Sequence, residues 1–371
     1  MSRRASEAGG VGGLSLVIAG GGTGGHLYPG IAVARELLRQ VPTARVSFAG
    51  TSKGLEARVV PQEGFDLDVI RSAGLKGKSF VARVRGAALL VPSFLDAWRL
   101  LSRRRPSVVV GVGGYSSGPV VLLAALRGVP TMVLEQNAAP GLTNRLLARV
   151  VRAAAVSYDS TLPYFGARAF VSGNPVRAEF FPSADTPRAS AQIPSRLLVL
   201  GGSQGARAIN RVMAEAAALV LREQPGVTFA HQTGARDLDE TRDAYVRASV
   251  VAVVEPFFDP VSARVHDADL VICRAGATTL AELAAAGRPA VLIPFPSATD
   301  DHQRRNAQVL VDAGAAVMVE EPHLDAARLA ATVVALLADA GRLAAMSRSM
   351  SSFARPDAAT RIVNHIRELA A

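Results

Sequence analysis

The sequence predicts an α/β protein built as two doubly wound, Rossmann-like domains facing each other across a cleft. Three observations lead there. Short apolar runs alternate with helix-patterned segments along most of the chain. A strand, a glycine turn and a helix open each half, at residues 14–38 and again from 197 onward. At 371 residues the chain is long for one domain and comfortable for two.

In the first half, residues 14–19 form an apolar run followed by Gly20, Gly21, Gly22, Thr23, Gly24, Gly25 and His26. Residues 27–38 then carry apolar side chains at helical spacing. Glycines let the backbone turn sharply and let a ligand come close. The helix start adds unpaired N–H groups and partial positive charge, suited to phosphate or a developing oxyanion. A dinucleotide enzyme would place an acid about 20 positions later, at the end of the second strand. That strand, 45–49, ends in Gly50, Thr51, Ser52 and Lys53, with no carboxylate for an adenosine ribose. A nicotinamide oxidoreductase is therefore disfavoured.

Residues 66–70 read as a third strand, and 107–112 as a fourth, almost wholly apolar and so buried on both faces. A second glycine turn, 113–119, precedes a helix. Residues 130–134 form a further strand with Glu135, Gln136 and Asn137 at its C-terminal end. Strands at 153–157 and 169–171 and a turn at 173–177 complete a first domain over 14–180. Residues 1–13, polar and Gly-rich, are expected to be a disordered leader. Residues 181–195, rich in Pro, Ser and Ala, read as a linker.

The second domain is expected over 196–354. It opens with the strand 197–200, the glycine turn 201–207 and a helix, and continues with strands near 228–231, 250–254, 270–273 and 290–293. Cys273 leads into a small-residue turn and another helix start. Asp300, Asp301, His302, Gln303 and Asn306 follow the last of these strands. Strand C-termini are where such sheets bind ligands, so polar residues gathered there are informative. Pro356 and Asp357 announce a closing helix within 355–371.

Apolar residues make up 49% of the chain, enough for real cores, and aromatics only 5%, so those cores are aliphatic. A single cysteine, Cys273, excludes an internal disulfide framework and a cysteine-based zinc cluster. The net charge of +10 is unevenly placed. Between Arg71 and Arg105 lie nine basic residues and one acid, Asp96, with Phe94, Leu95 and Trp98 in the same segment. Three readings compete for it: an anionic membrane surface, nucleic acid, and a solvated helix face over an ordinary core. No nucleic-acid motif accompanies it. No run approaches the roughly 20 apolar residues of a spanning helix.

Two such sheets suit a nucleotide-diphosphate ligand. Small residues and backbone donors from Cys273 to Thr279 can hold a diphosphate without a metal. Glu282, shortly into that helix, can accept hydrogen bonds from two ribose hydroxyls. Ser203 and Arg207 can add a hydroxyl and a charge, and Arg177 can reach the same site. Metal-dependent sugar-nucleotide enzymes commonly present an Asp-x-Asp pair. The three such tripeptides, starting at Asp66, Asp237 and Asp267, fall in a strand, in a helix-like run and before a strand, and read as structural. No metal ligand set and no cofactor is expected. Inverting glycosyl transfer needs one base. His26, at a helix start that should lower its pKa, is the first candidate and Glu135 the second.

Together, residues 21–26, 113–119, 135–137, 173–177, 201–207 and 273–276 resemble the MurG-type family, and the resemblance runs from about residue 14 to the C-terminus. These are bacterial glycosyltransferases that add N-acetylglucosamine to the peptidoglycan precursor lipid I. The resemblance implies a GT-B architecture. It implies UDP-N-acetylglucosamine as donor, undecaprenyl-diphosphate-linked N-acetylmuramoyl pentapeptide as acceptor, and lipid II and UDP as products. By position, Thr23, Gly24 and Gly25 would lie on the donor-sugar side, and Asn137 would bind the sugar. Arg177 and Ser203 would bind the diphosphate, and Phe258 the uracil through its backbone, where the family more usually has an aliphatic residue. Ala277, Thr278, Thr279, Leu280, Ala281 and Glu282 would hold diphosphate and ribose, and Gln303 the hexose hydroxyls. Gly22, Tyr115 and Ser116 would face the acceptor. The resemblance also favours a C-terminal helix packing back on the first domain. It turns the basic-apolar segment into a dock on the cytoplasmic face of the inner membrane, with no nucleic-acid partner. The enzymatic alternative is another GT-B transferase acting on a lipid such as diacylglycerol. Outside enzymes, the alternative is a nucleotide-binding scaffold that docks on membranes.

Overall fold

The computed structural model describes residues 13–72, 90–182, 195–202 and 205–371. Most of the expected leader, the middle of the basic segment (Lys76, Lys78, Phe80, Arg83 and Arg85), most of the expected linker, and Ser203 lie outside the described residues.

Among the described residues the strands fall into two sheets. The first holds β1 (Ser15–Gly20), β2 (Arg45–Gly50), β3 (Asp66–Val69), β4 (Val108–Gly113), β5 (Thr131–Glu135), β6 (Ala153–Val156) and β7 (Ala169–Val171), in the order β3-β2-β1-β4-β5-β6-β7. The second holds β8 (Arg196–Leu200), β9 (Thr228–Gln232), β10 (Ala252–Glu255), β11 (Leu270–Cys273), β12 (Ala290–Leu292) and β13 (Ala316–Met318), in the order β10-β9-β8-β11-β12-β13. The central pairings, β1 with β2 and β4, and β8 with β9 and β11, are parallel. Both sheets therefore reverse their winding once, between β1 and β4 and between β8 and β11. In a doubly wound sheet that reversal opens a crevice at the strand C-termini.

The strands form where the sequence places its apolar runs. β1 and β4 are buried along their whole length, which explains why neither alternates polar with apolar. The helix Gly24–Gln40 starts three residues earlier than apolar spacing suggests, taking Gly24, Gly25 and His26 into its first turn. Glycine is a poor helix former, but first-turn N–H groups have no intrahelical partner in any case. The short strand β13 has no counterpart in the periodicity: three residues bounded by helices are too few to show alternation.

The chain divides into two compact units. One comprises Met1–Leu134, Leu146–Ala154 and Thr360–Ala371; the other comprises Glu135–Arg145 and Ala155–Ala359. In the first unit the closing helix Ala358–Ala370 buries Ile362, Val363 and Ile366 completely. At about 1.5–3 kcal/mol per buried side chain, these three contribute on the order of 5 kcal/mol to its docking. A helix of 13 residues would be marginal alone. Two contacts fix its register on the first helix: the Thr360 hydroxyl donates to Glu36 at 2.8 Å and Arg367 donates to Gln40 at 3.2 Å. In the second unit, the helices Arg207–Glu223 and Ala326–Leu337 share one core, in which Ile209, Met213, Leu329 and Val333 are fully buried.

The three Asp-x-Asp tripeptides have structural partners. Asp68 pairs with Arg103 and Arg104, and Asp66 with Arg104 at 2.9 Å. Asp237 accepts from Asn210 at 3.0 Å, and Asp269 from the Arg196 amide at 2.7 Å.

Candidate active site

In the first unit the glycine turn after β1 lies against the turn after β4. A Cβ on Gly20 would fall 2.3 Å from the Gly113 carbonyl oxygen, and one on Gly114 2.8 Å from that of Gly21. Only glycines allow two turns to meet so closely. Thr23 stands at the N-cap in extended conformation, and its carbonyl accepts from the amides of His26 and Leu27 at 3.2 and 3.1 Å. Nδ1 of His26 lies 3.3 Å from the Gly21 carbonyl oxygen and 3.3 Å from the Thr23 hydroxyl. A carbonyl can only accept, so the Gly21 contact is a hydrogen bond in the tautomer with the proton on Nδ1, which in the neutral ring leaves the lone pair on Nε2; the Thr23 hydroxyl can accept from or donate to Nδ1. The imidazole rests on Gly113, where a Cβ would approach Nε2 to 3.1 Å.

The remaining first-unit candidates divide. Tyr115 is exposed, whereas Ser116 is buried. The Gly22 amide, expected on the acceptor side, donates to the carboxylate of Glu56 at 2.7 Å. Glu56 is 1% exposed and also accepts from the Thr51 amide at 2.9 Å and hydroxyl at 2.8 Å. Burial works against its charge, but those hydrogen bonds prevail and hold it below the usual carboxylate range. Sequence reading missed this residue. The available signal was a lone acid placed among Gly50, Thr51 and Gly54 just past a strand end.

In the second unit, Glu135 and Asn137 form one knot. Glu135 is 2% exposed. Its Oε1 accepts from the amide and side chain of Asn137 at 3.0 and 3.1 Å, and its Oε2 from the Gly141 amide at 3.0 Å and Asn144 at 2.8 Å. Burial pushes its pKa up, and these four donors pull against that rise. A carboxylate so enclosed organises the loop that carries Asn137. Asn306, completely buried on the helix His302–Asp312, ties the knot to the turn after β11. Its oxygen accepts from the Ala138 amide at 2.8 Å, and its nitrogen donates to Asn137 Oδ1 at 3.1 Å and the Ala275 carbonyl at 3.2 Å.

That turn leads through Gly276, the N-cap, into the helix Ala277–Ala286, which has no acid in its first turn. Ala277, Thr278 and Thr279 are partly exposed there. The Leu280 side chain is in the core, and its amide donates to the Gly276 carbonyl at 3.0 Å. On the following turn, Glu282 meets Arg177 at 3.4 Å, and Arg177 also pairs with Glu179 at 3.1 Å. Burial raises the Glu282 pKa to about 7 against the opposing pull of Arg177. Phe258 is buried, and its amide, expected at the uracil, donates to Gln232 Oε1 at 3.0 Å. Gln303 accepts from the Phe295 amide at 3.0 Å, which orients its side-chain amide. Among the described residues no group of three or more His, Cys, Asp or Glu side chains could hold a metal ion.

Two parallel sheets, each with a small-residue helix start at its switch point, define a GT-B fold. The glycosyltransferase family 28 N-terminal domain matches residues 16–156, and the family 28 C-terminal domain residues 196–362. The chain is 46% identical over 357 residues to the UDP-N-acetylglucosamine–N-acetylmuramyl-(pentapeptide) pyrophosphoryl-undecaprenol N-acetylglucosamine transferase of Anaeromyxobacter sp. (strain K), covering 96% of this chain and 93% of that one. It is 44% identical over 352 residues to the enzyme of the same name from Myxococcus xanthus (strain DK1622), covering 95% and 92%. The crystal structure of Acinetobacter baumannii MurG superposes with a TM-score of 0.78 at 30% identity, covering 96% and 99%. The calicheamicin glycosyltransferase CalG4, at 18% identity and a TM-score of 0.67, shares the fold. The chain belongs to the MurG family of glycosyltransferases.

Proposed function

We propose that this chain moves N-acetylglucosamine from UDP-N-acetylglucosamine to the C4 hydroxyl of the muramoyl sugar in undecaprenyl-diphospho-MurNAc-pentapeptide, with inversion. The observation that carries this reading is 46% identity along 96% of the chain to an enzyme whose name states that donor and acceptor. The acceptor oxygen attacks the anomeric carbon from the face opposite UDP. The new C–O bond forms as the bond to the diphosphate breaks, and the acceptor proton passes to Nε2 of His26. UDP leaves with its charge met by the N–H groups of Ala277, Thr278 and Thr279 and by Arg177, with Ser203 as a further donor. Glu282 takes the ribose hydroxyls, Asn137 and Gln303 the hexose.

The same reading places the protein peripherally on the cytoplasmic face of the inner membrane. Val91, Leu95 and Trp98 form an exposed stripe on the helix Leu90–Arg104, and exposed Leu126 ends the helix Ser117–Leu126. Arg127 stacks over Trp98 at 4.6 Å. Exposed apolar side chains beside arginines suit an anionic lipid surface. Arg103 and Arg104 are engaged with Asp66 and Asp68, so Arg99 and Arg105 carry more of the attraction than they do.

Incubation with labelled donor and either lipid I or diacylglycerol tests the reaction. Label is expected to move to lipid I only, and transfer to diacylglycerol would select the alternative acceptor. Co-sedimentation with anionic vesicles tests the dock. Leu95→Ser with Trp98→Ser should release the protein, and undiminished binding would remove the stripe from the account.

A further inference from the structure

A single peptide unit lies between the carboxylate of Glu56 and the imidazole of His26. The Gly22 amide donates to Glu56 Oε2 at 2.7 Å, and the Gly21 carbonyl oxygen, on the other side of the same peptide, lies 3.3 Å from His26 Nδ1. In a trans peptide the N–H and C=O point in opposite directions. A carboxylate gripping the N–H therefore fixes where the carbonyl points. It also polarises the peptide, making the carbonyl a stronger acceptor.

The surroundings are built for this carboxylate. A Cβ on Gly21 would fall 2.6 Å from its carboxyl group, one on Gly54 2.2 Å from Oε2, and one on Gly50 2.6 Å from its Cγ. Three glycines vacate the space it fills. Thr51 supplies two further donors, and the Thr51 hydroxyl itself accepts from the Gly54 amide at 3.1 Å. Gly21 has φ +146° and Gly22 φ +86°, conformations that hold the intervening peptide in a rare orientation. A buried charge in such a place has a steep cost unless fully hydrogen-bonded, and this one is bonded on both oxygens.

We propose that Glu56 is a positioning residue for the transfer reaction: acting through the Gly21–Gly22 peptide, it holds His26 in the Nδ1–H tautomer with Nε2 as the proton acceptor. The proposal rests on His26 as the base. Glu56 touches no substrate; it orients the group that takes the proton.

The test is Glu56→Gln in the full chain. Three donors converge on the carboxylate, so the glutamine amide nitrogen opposes one of them whichever way it turns. In ¹⁵N imidazole spectra of the unliganded protein, the Nδ1–H signature of His26 is expected to weaken. The kcat is expected to fall roughly ten- to hundredfold, the scale of a misoriented catalytic group, while the donor KM stays within about twofold. A merely structural role would leave the tautomer signature of the folded variant unchanged, and that result overturns the proposal. If Glu56→Gln does not fold, Thr51→Ala is read in the same way: a weaker Nδ1–H signal supports the proposal and a wild-type signal overturns it. Failure of the base assignment looks different. Wild-type turnover in His26→Ala would discard His26 as the base, whatever the spectra of the Glu56 variant show.

Discussion

The two switch points use turns of small residues for opposite ends. After β1, the turn is stitched to an internal carboxylate: Glu56 claims the Gly22 amide, and the Gly21 carbonyl faces the imidazole. After β11, the helix Ala277–Ala286 starts with no acid in its first turn, so its leading amides remain suited to an external anion. The first turn is filled from within and presents an imidazole, the base of the proposed reaction; the second is the diphosphate site of the same proposal. The buried carboxylates follow the same division. Glu56 stays charged because donors surround it, whereas Glu282 meets a single arginine at 3.4 Å and its pKa rises to about 7.

The sharpest break of this comparison is at His26. Replacing it with alanine should lower kcat by roughly 10²–10⁴-fold, the usual contribution of a general base, with donor KM little changed. Steady-state kinetics with both substrates varied would show this, and a pure KM effect would move His26 to the binding side. Next comes Asn306→Ala, which strands the Ala138 amide and the Ala275 carbonyl in the interior. At about 1–3 kcal/mol for each unsatisfied group, a loss of around 3 kcal/mol is expected in denaturant unfolding. A loss below 1 kcal/mol would mean that water replaces the side chain at little cost.

Of similar size is the pH effect of Glu282. Its folded pKa of about 7 lies above the ordinary 4.5, so between those values the folded chain holds a proton that the unfolded chain has released. The stability it contributes is complete below about pH 4.5 and is lost as pH rises through about 7. That loss amounts to roughly 3 kcal/mol at most, at 1.4 kcal/mol per pKa unit. Glu282→Gln should flatten this part of the pH–stability curve, and an unchanged slope would assign it to another group. The smallest effect is expected from Arg103→Gln with Arg104→Gln. Their partners Asp66 and Asp68 lose their charge pairs, so the net change in vesicle binding should be less than that of Arg99→Gln with Arg105→Gln.

Much of the fold was legible in the sequence because parallel strands buried on both faces read as continuous apolar runs, as in β4 and β11. Repetition of the strand–turn–helix opening at residues 14 and 197 exposed the two-sheet plan. Side-chain partnerships were not legible. Glu135 stood out because it ends a strand, and only the fold brings Gly141 and Asn144 onto it. Asn306 stood out as a strand-end polar residue, but its bond to Ala138 spans 168 positions, beyond any local pattern. Nor could Phe258 reveal that its amide is already engaged by Gln232.

Calorimetric titration of UDP-N-acetylglucosamine into His26→Ala and Glu282→Ala separates the two switch points most directly. Wild-type donor affinity without turnover is expected in the first variant, and weakened donor affinity in the second. Equal losses of affinity in both, or full affinity in Glu282→Ala, would contradict the assignment of base to one turn and nucleotide to the other.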